Sequence, residues 1–497
     1  SVLGNFSQNS YSFVPDSLVT TFGTLENPKT FRVHFNGKEK DLFQTLFGAA
    51  TLKYSPTNNL TISLLASAFN TSETVNYDIE GQYWLGEASS GDASLGIGAY
   101  HDFARNTLNA TVVSLAHRGE YQKKKNKLEW GASLQQELIN DRIDEFQIRD
   151  SAGYSLPFNV NALSLFYNLH AKSNLNTYRT QAFIQDAFKI AKFSFVGGLR
   201  ANYWSFNDEL LLSPRLAIAY MPSWKKDFIF RFSTGVYYQS PFYKEIKDTI
   251  VDNQRNVLIQ LNKDIQAQRS LHFVLGSDYR FKWVNRPFKF TTEVYYKPSD
   301  RVITYKVDNV KIIYAGNNDA KAYTAGLDLK LFGEFVPGTD SWINLSLMNA
   351  KENAVGDEYG YVSRPNEQRV VFSTFFQDFF PGFPKYRVHL KFIWADGLPY
   401  WAPNAVHTTE NTLRARSYRR VDIGFSRALA KGDFNWLDKT GVFSVAKTIQ
   451  LGLEIFNLLD IQNVESYYWV SDIENKQHPV PNTLTGRRFN FRLSVDF

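Results

Sequence analysis

Apolar and polar residues alternate with a period of two along almost the whole chain, the pattern of strands with one apolar and one polar face. The last segment shows it most clearly. Phe489, Phe491, Leu493, Val495 and Phe497 fall on one face, and Arg488, Asn490, Arg492, Ser494 and Asp496 on the other. Tyr386, Val388, Leu390, Phe392 and Trp394 alternate with Arg387, His389 and Lys391. Ile449, Leu451, Leu453 and Ile455 alternate with Gln450, Gly452 and Glu454, and Val421, Ile423 and Phe425 with Arg420, Asp422 and Ser426. Phe193–Tyr203 and Tyr323–Leu331 read the same way. A soluble sheet with one wet face also alternates, but here the polar face is unusually charged and the apolar face runs to the final residue.

Turn residues separate these runs. Ser55-Pro-Thr-Asn-Asn59 joins Leu42–Tyr54 to Leu60–Phe69, Met221–Asp227 joins Leu212–Tyr220 to Phe228–Tyr238, and Pro337-Gly-Thr-Asp340 joins Leu327–Val336 to Trp342–Met348. Such Pro, Gly, Asn, Asp and Ser clusters are hairpin signals. The 497 residues divided among about 22 strands leave about 23 residues for each strand with its connection, which fits membrane strands of at least about 9–11 residues. Short turns alternate with long polar stretches at Asn140–Asn174, Pro241–Gln268, Ala350–Arg364, Ala395–Ser417 and Ser471–Gly486. The spacing of Ile246, Ile250, Val257, Leu258, Leu261 and Ile265 predicts a short helix within Tyr243–Gln268. With no composition break and no linker, residues 1–497 read as one domain.

Composition narrows the class. Mean hydropathy is −0.33, and no run of about 20 apolar residues occurs, as a membrane helix requires. Ser151–Ala171 carries no charge but holds Pro157, Asn159, Asn161 and Asn168, which rules it out as a span. There is no Cys, so disulfide staples and thiolate metal sites are excluded. Apolar residues at 43% and charged residues at 21% exclude wholesale disorder. The 41 Phe, 27 Tyr and 10 Trp are 16% of the chain. An all-β, transmembrane antiparallel β-barrel of about 22 strands with long extracellular loops accounts for a polar average, heavy aromatic use and great length together. The net charge of +6 is small for this length, and Lys123–Lys125 reads as a turn tip, so nucleic acid is not an expected partner.

Short motifs then point to a family. The segment Leu212–Glu245 resembles the mid-barrel signature of TonB-dependent outer-membrane receptors, through Ser213, Pro214, Arg215, Arg231, Gly235, Tyr237 and Pro241. Tyr295-Tyr-Lys297, Gly326-Leu-Asp-Leu329 and Phe456-Asn-Leu-Leu-Asp460 are similar to the family's later segments. Phe489, Phe491, Leu493, Val495 and the terminal Phe497 resemble the signal read by the barrel-assembly machinery of Gram-negative bacteria. The resemblance implies the cell outer membrane, with its lipid and lipopolysaccharide, and energised import of a scarce solute through the TonB complex. The family's N-terminal plug and TonB-binding segment have no counterpart among these residues, and no signal peptide is visible. A structural subunit of a larger outer-membrane complex, with a surface lipoprotein as partner, and a passive porin are the alternatives. About 16–18 strands suit a porin and about 22 a plugged transporter.

Candidate chemistry is sparse. The eight His are scattered without ligand spacing, no phosphate-binding loop or nucleophile elbow occurs, and neither an enzyme, a metal nor a cofactor is expected. Arg387, His389, Lys391, Arg420, Asp422, Glu454, Arg488 and Arg492 fall on the polar faces. They read as a lumen wall of ion pairs that docks the plug of a complete receptor, with a solute site as the alternative. In the loops, Leu398-Pro-Tyr-Trp-Ala-Pro403 places Tyr400 and Trp401 near Arg414, Arg416 and Arg419. Aromatic faces with guanidinium groups grip a sugar, an aromatic chelate or a peptide. A membrane-interface girdle with loop packing is the favoured reading of the Tyr400 and Trp401 rings, and Tyr467, Tyr468 and Trp469 present the same two alternatives.

Overall fold

A computed structural model describes residues 1–15, 17–24, 26–88, 95–149, 164–251, 257–308, 311–356, 358–402, 408–429, 432–433, 439–440, 446, 448–471 and 477–496. Residue types that alternate along an extended backbone form strands, and the strands pair in sequence order. The wall strands are β1 (Val2–Phe13), β2 (Pro28–Thr57), β3 (Leu60–Glu87), β4 (Gly96–Lys123), β5 (Asn126–Arg149) and β6 (Ser164–Ile190). Next come β7 (Phe193–Trp204), β8 (Glu209–Tyr220), β9 (Asp227–Gln239), β10 (Gln268–Trp283), β11 (Arg286–Val302) and β12 (Ala320–Val336). The last six are β13 (Thr339–Ala354), β14 (Val370–Phe380), β15 (Phe383–Ala395), β16 (Tyr418–Leu429), β17 (Thr448–Phe456) and β18 (Arg488–Asp496). The short strands Leu18–Gly23, Lys247–Val251, Val257–Leu261 and Val362–Ser363 complete one 22-stranded sheet, the number the sequence predicts. Among the described residues β1 pairs with β2 and β18 with β17, so the sheet is open between β1 and β18.

Turns at one end are tight, apart from the connection between β16 and β17, which spans residues 430–447. Lys124 between β4 and β5 and Asn285 between β10 and β11 take left-handed φ of 55° and 58°, and Gly338 between β12 and β13 takes 79°. The connections at the opposite end are long, apart from the turn between β7 and β8. The loop from Pro241 to Ala267 is a β-hairpin, not the expected helix: Lys247–Val251 pairs with Val257–Leu261. Its apolar spacing has another cause, since Ile246 and Ile265 are buried against Leu175, Trp204, Phe206 and Ile303. Residues 252–256 lie outside the described residues.

The stretch Asn140–Asn174 also departs from expectation. It continues as strand in β5 and β6, and only 150–163 falls outside the described residues. Strands β2 to β6 reach 24–30 residues, about 80–100 Å at about 3.3 Å per residue. A membrane crossing takes about 9–11 residues.

These tall strands exchange their apolar face part-way up. Near the tight turns the outer face is apolar, through Leu52, Leu64, Ala66 and Leu115, with Leu52 opposite Leu64 and Ala66 opposite Leu115. Further along it turns polar through Asn70, which donates to Thr111 at 2.8 Å. The inner face does the reverse. Phe31, Val33, Tyr83 and Leu85 lie on it and are buried together under Val480 of the Gln477–Thr483 strand. Elsewhere the inner face of the wall is charged.

Candidate functional site

Register brings the predicted wall residues to one face of β15 to β18. His389, Gly424, Glu454 and Asn490 stand side by side on successive strands, Lys391 stands opposite Asp422, and Phe456 opposite Arg488. Arg387 stands opposite Ser426, which pairs with Gly452, and Gly452 with Arg492. Arg420 lies one pair further along the same face, opposite Ile393.

The contacts within this face differ. Arg420 donates two 2.7 Å bonds to the buried Asp422 carboxylate, which also accepts the Asn457 backbone N–H at 2.9 Å. Gly424 leaves the space that the His389 ring fills; a Cβ there would sit 2.2 Å from the ring. The ring nitrogen lies 3.9 Å from Glu454, and Asn490 donates to Glu454 at 3.2 Å. Arg387 stacks over Phe379 at 5.5 Å and Arg488 donates to Thr485 at 3.2 Å. Among the described residues Arg387, Lys391, Arg488 and Arg492 have no ion-pair partner, so this part of the wall is cationic. Phe489, Phe491 and Leu493 are exposed on the opposite face, with Phe491 at 70%. Val495 packs beside Ile449, and Phe497 lies outside the described residues.

Wall residues beyond the predicted set extend the pattern. Arg231, Asp278, Lys289 and Glu293 share the inner face of β9 to β11, with Arg231 3.3 Å and Lys289 3.2 Å from the buried Asp278. Arg215 lies over the Tyr237 ring at 4.3 Å, and Tyr237 stacks on His272 at 4.1 Å. Period-two counting from Arg215 and Arg231 finds these residues once the strands are recognised.

The loop residues divide. Tyr400 stacks on Tyr467 at 4.3 Å and lies 6.1 Å from Trp469. Burial, with Tyr467 beside it, pushes the Tyr400 hydroxyl up to about 12. Trp401 follows it, partly buried, and Arg416 lies beside Tyr467, with its backbone hydrogen-bonded to the Tyr467 hydroxyl. Arg414 is occupied otherwise. It pairs with the fully buried Glu367, donates to the Gly397 carbonyl at 3.1 Å and lies 3.6 Å from Asp396. Glu367 also accepts the Ala350 N–H at 3.1 Å, and Lys351 lies 3.8 Å away. Arg414 therefore ties its loop to the one before β14, with its guanidinium taken up by Glu367, Gly397 and Asp396. Glu367 itself carries no signal in the sequence, because nothing in a loop's composition marks its one buried acid.

On the tall side, the hairpin loop is bound to the wall by charge as well as packing. Lys247 pairs with the buried Asp141, which accepts the Tyr243 hydroxyl at 3.0 Å. Arg179 donates to Glu137 at 2.9 Å and covers the Trp204 ring at 4.0 Å.

No family model and no curated protein sequence matches this chain. Solved structures do. The outer membrane transporter YddB from Escherichia coli matches 99% of this chain and 76% of its own, with TM-score 0.56 and 11% identity. A mutant of the ferric enterobactin receptor PfeA from Pseudomonas aeruginosa matches 100% of this chain and 80% of its own, with TM-score 0.52 and 13% identity. A chain in the FpvAI–pyocin S2 complex matches at TM-score 0.51 and 9% identity. The fold is therefore that of the outer-membrane transporters and receptors. Within that class it is the fold of the TonB-dependent receptor barrel, the family that the motifs around Arg215 resemble.

Proposed function

We propose that this chain is the barrel of a TonB-dependent outer-membrane transporter, which captures a scarce solute at its long loops and imports it with TonB energy. The observation that carries the reading is the two-faced wall of β15 to β18, apolar on one side and cationic on the other, with packed loops at one end. Arg387, Lys391, Arg488 and Arg492 offer unpaired charge to an acidic surface in the lumen, and the plug of an intact receptor is that surface. Asp422 and Glu454 fix the neighbouring cations. Tyr400, Trp401 and Arg416 contribute the loop contacts to solute. Binding and passage are the chemistry that this wall suits.

The test is growth and uptake of a deletion strain on iron chelates, glycans and peptides, beside a strain lacking TonB. Loss of the same solute in both strains is the expected result. A normal phenotype on every solute, with loss of a co-purifying membrane complex, would overturn the transporter in favour of a structural subunit.

A further inference from the structure

The chain has no cysteine with which to staple a loop. The hairpin of Lys247–Val251 and Val257–Leu261 meets the wall instead through three polar side chains beside an apolar cluster. Lys247 pairs with Asp141 of β5, and the Tyr243 hydroxyl donates to the same Asp141 oxygen at 3.0 Å. The Lys247 ammonium also lies 4.5 Å from the centre of the Tyr243 ring, so Tyr243 holds both partners. Its ring packs against the buried Leu175, Trp204 and Ile246 cluster. The Lys247 side chain is 18% exposed and that of Asp141 8%, whereas the lysines of the other described ion pairs are 22% to 59% exposed. Burial, with Asp141 beside it, pushes the Tyr243 hydroxyl upward, which keeps it a proton donor.

The ends of the loop are fixed separately. Arg179 donates to the Pro241 carbonyl at 3.3 Å, Asn207 donates to the Ile265 carbonyl at 2.7 Å, and Glu209 accepts the Ala267 N–H at 2.8 Å. Amine and carboxyl are thus held in contact by the fold, which removes the entropy cost of bringing two reactants together.

We propose that Lys247 and Asp141 condense to an isopeptide bond that staples the hairpin to β5. One ammonium proton passes to the carboxylate, leaving a neutral amine and a neutral acid. A desolvated lysine amine is an effective nucleophile. Nζ attacks Cγ and the C–N bond forms, while Tyr243 donates to the oxygen on which charge develops. A second proton passes from nitrogen to the departing hydroxyl, the C–O bond breaks and one water leaves. The third hydrogen stays as the amide N–H, and no oxidant or other reactant enters. The apolar surroundings that exclude water also oppose the reverse hydrolysis. The bond does not depend on what the barrel transports, so it stands or falls apart from the proposed import.

The test compares the intact mass of the full chain, purified from membranes, with that of K247R. That variant keeps a cation opposite Asp141 but has no amine to condense. After correction for the substitution, the unaltered chain is expected to be lighter by one water. Its digest is expected to yield one branched peptide that joins Asp141 to Lys247. Equal corrected masses overturn the bond and leave an ion pair. A branched peptide that joins other residues overturns the site. Y243F, followed after a pulse of isotope label, is expected to form the bond about a hundredfold more slowly. A Y243F rate equal to that of the unaltered chain overturns Tyr243 as the donor.

Discussion

The strands β2 to β6 and the strands β14 to β18 solve different problems with the same alternation. The second group has 9–13 residues per strand, enough for one crossing. In β15 to β18 one face is mainly apolar along its length, and the other carries the charged residues. The first group has 24–30 residues and changes faces on the way. Its lower part is apolar outside, as lipid contact requires, and its upper part is apolar inside, where the loops pack on Phe31, Val33, Tyr83 and Leu85. The medium decides which face is apolar, and a strand that passes through two media exchanges its faces. The loops follow the same division. Those over the short strands are held by the buried Glu367 network. One over the tall strands is held largely by the apolar cluster around Leu85 and Val480.

That contrast breaks or sharpens in four measurements. Replacing Glu367 by Gln leaves Arg414 and Lys351 without a buried counter-charge, a loss of about 3–5 kcal/mol in loop docking. Hydrogen exchange should rise in 396–417 and stay unchanged in 477–483; a rise in both would mean the loops form one unit. Leu85→Ala removes a fully buried side chain, and a cost of about 2–5 kcal/mol is expected. Limited proteolysis should cut near 464–483 first, while the heat-modifiable barrel band persists. Phe491→Lys should impair assembly by about 2–4 kcal/mol if the site lies at mid-membrane, whereas Asn490→Lys on the charged face should be tolerated. Equal assembly yields for the two would contradict the facing of β18.

The smallest effect concerns pH. The Tyr400 hydroxyl sits above its ordinary value of 10, at about 12, because burial disfavours its charged form. Its contribution to loop packing is therefore complete below pH 10 and is lost as pH rises from 10 to about 12. Tyrosinate absorbance compared between the unaltered chain and Tyr400→Phe should show one late-titrating ring. A Tyr400 that titrates with the exposed tyrosines would mean the stack with Tyr467 is not held.

The short strands were legible in the sequence because one medium governs each of their faces, so counting by two from Phe489 or Tyr386 never changes phase. In β3 the even positions Leu60, Ile62, Leu64, Ala66 and Ala68 are apolar, and then the odd positions Val75, Tyr77, Ile79, Tyr83 and Leu85 take over. Between them lies Asn70-Thr-Ser-Glu-Thr74, where neither face is apolar and the pattern reads as a loop. The same exchange hid the upper parts of β5 and β6 inside a stretch that looked like a connection. The helix expected in Tyr243–Gln268 failed for a related reason. Apolar residues at helical intervals there come from a hairpin and its flanks, and Ile246 and Ile265, which flank the two arms, are buried with Trp204 and Leu175. The ring pair Tyr400 and Tyr467 was visible as composition, but nothing local says that two loops far apart in sequence will stack their rings.

If the proposed transport holds, the difference in strand length also shapes access at the cell surface. A 28-residue strand beside the opening and a 12-residue strand across from it differ in height by roughly 40 Å after tilt. The rim is thus a slope and not a level ring. A small solute reaches the mouth from any side, but a bulky antibody or phage fibre meets a fence on one side and must approach over the low one. Selection by bulky attackers would then concentrate its pressure on the loops of the low side, around Tyr400 and Arg416, and leave the outer face of the fence comparatively untouched.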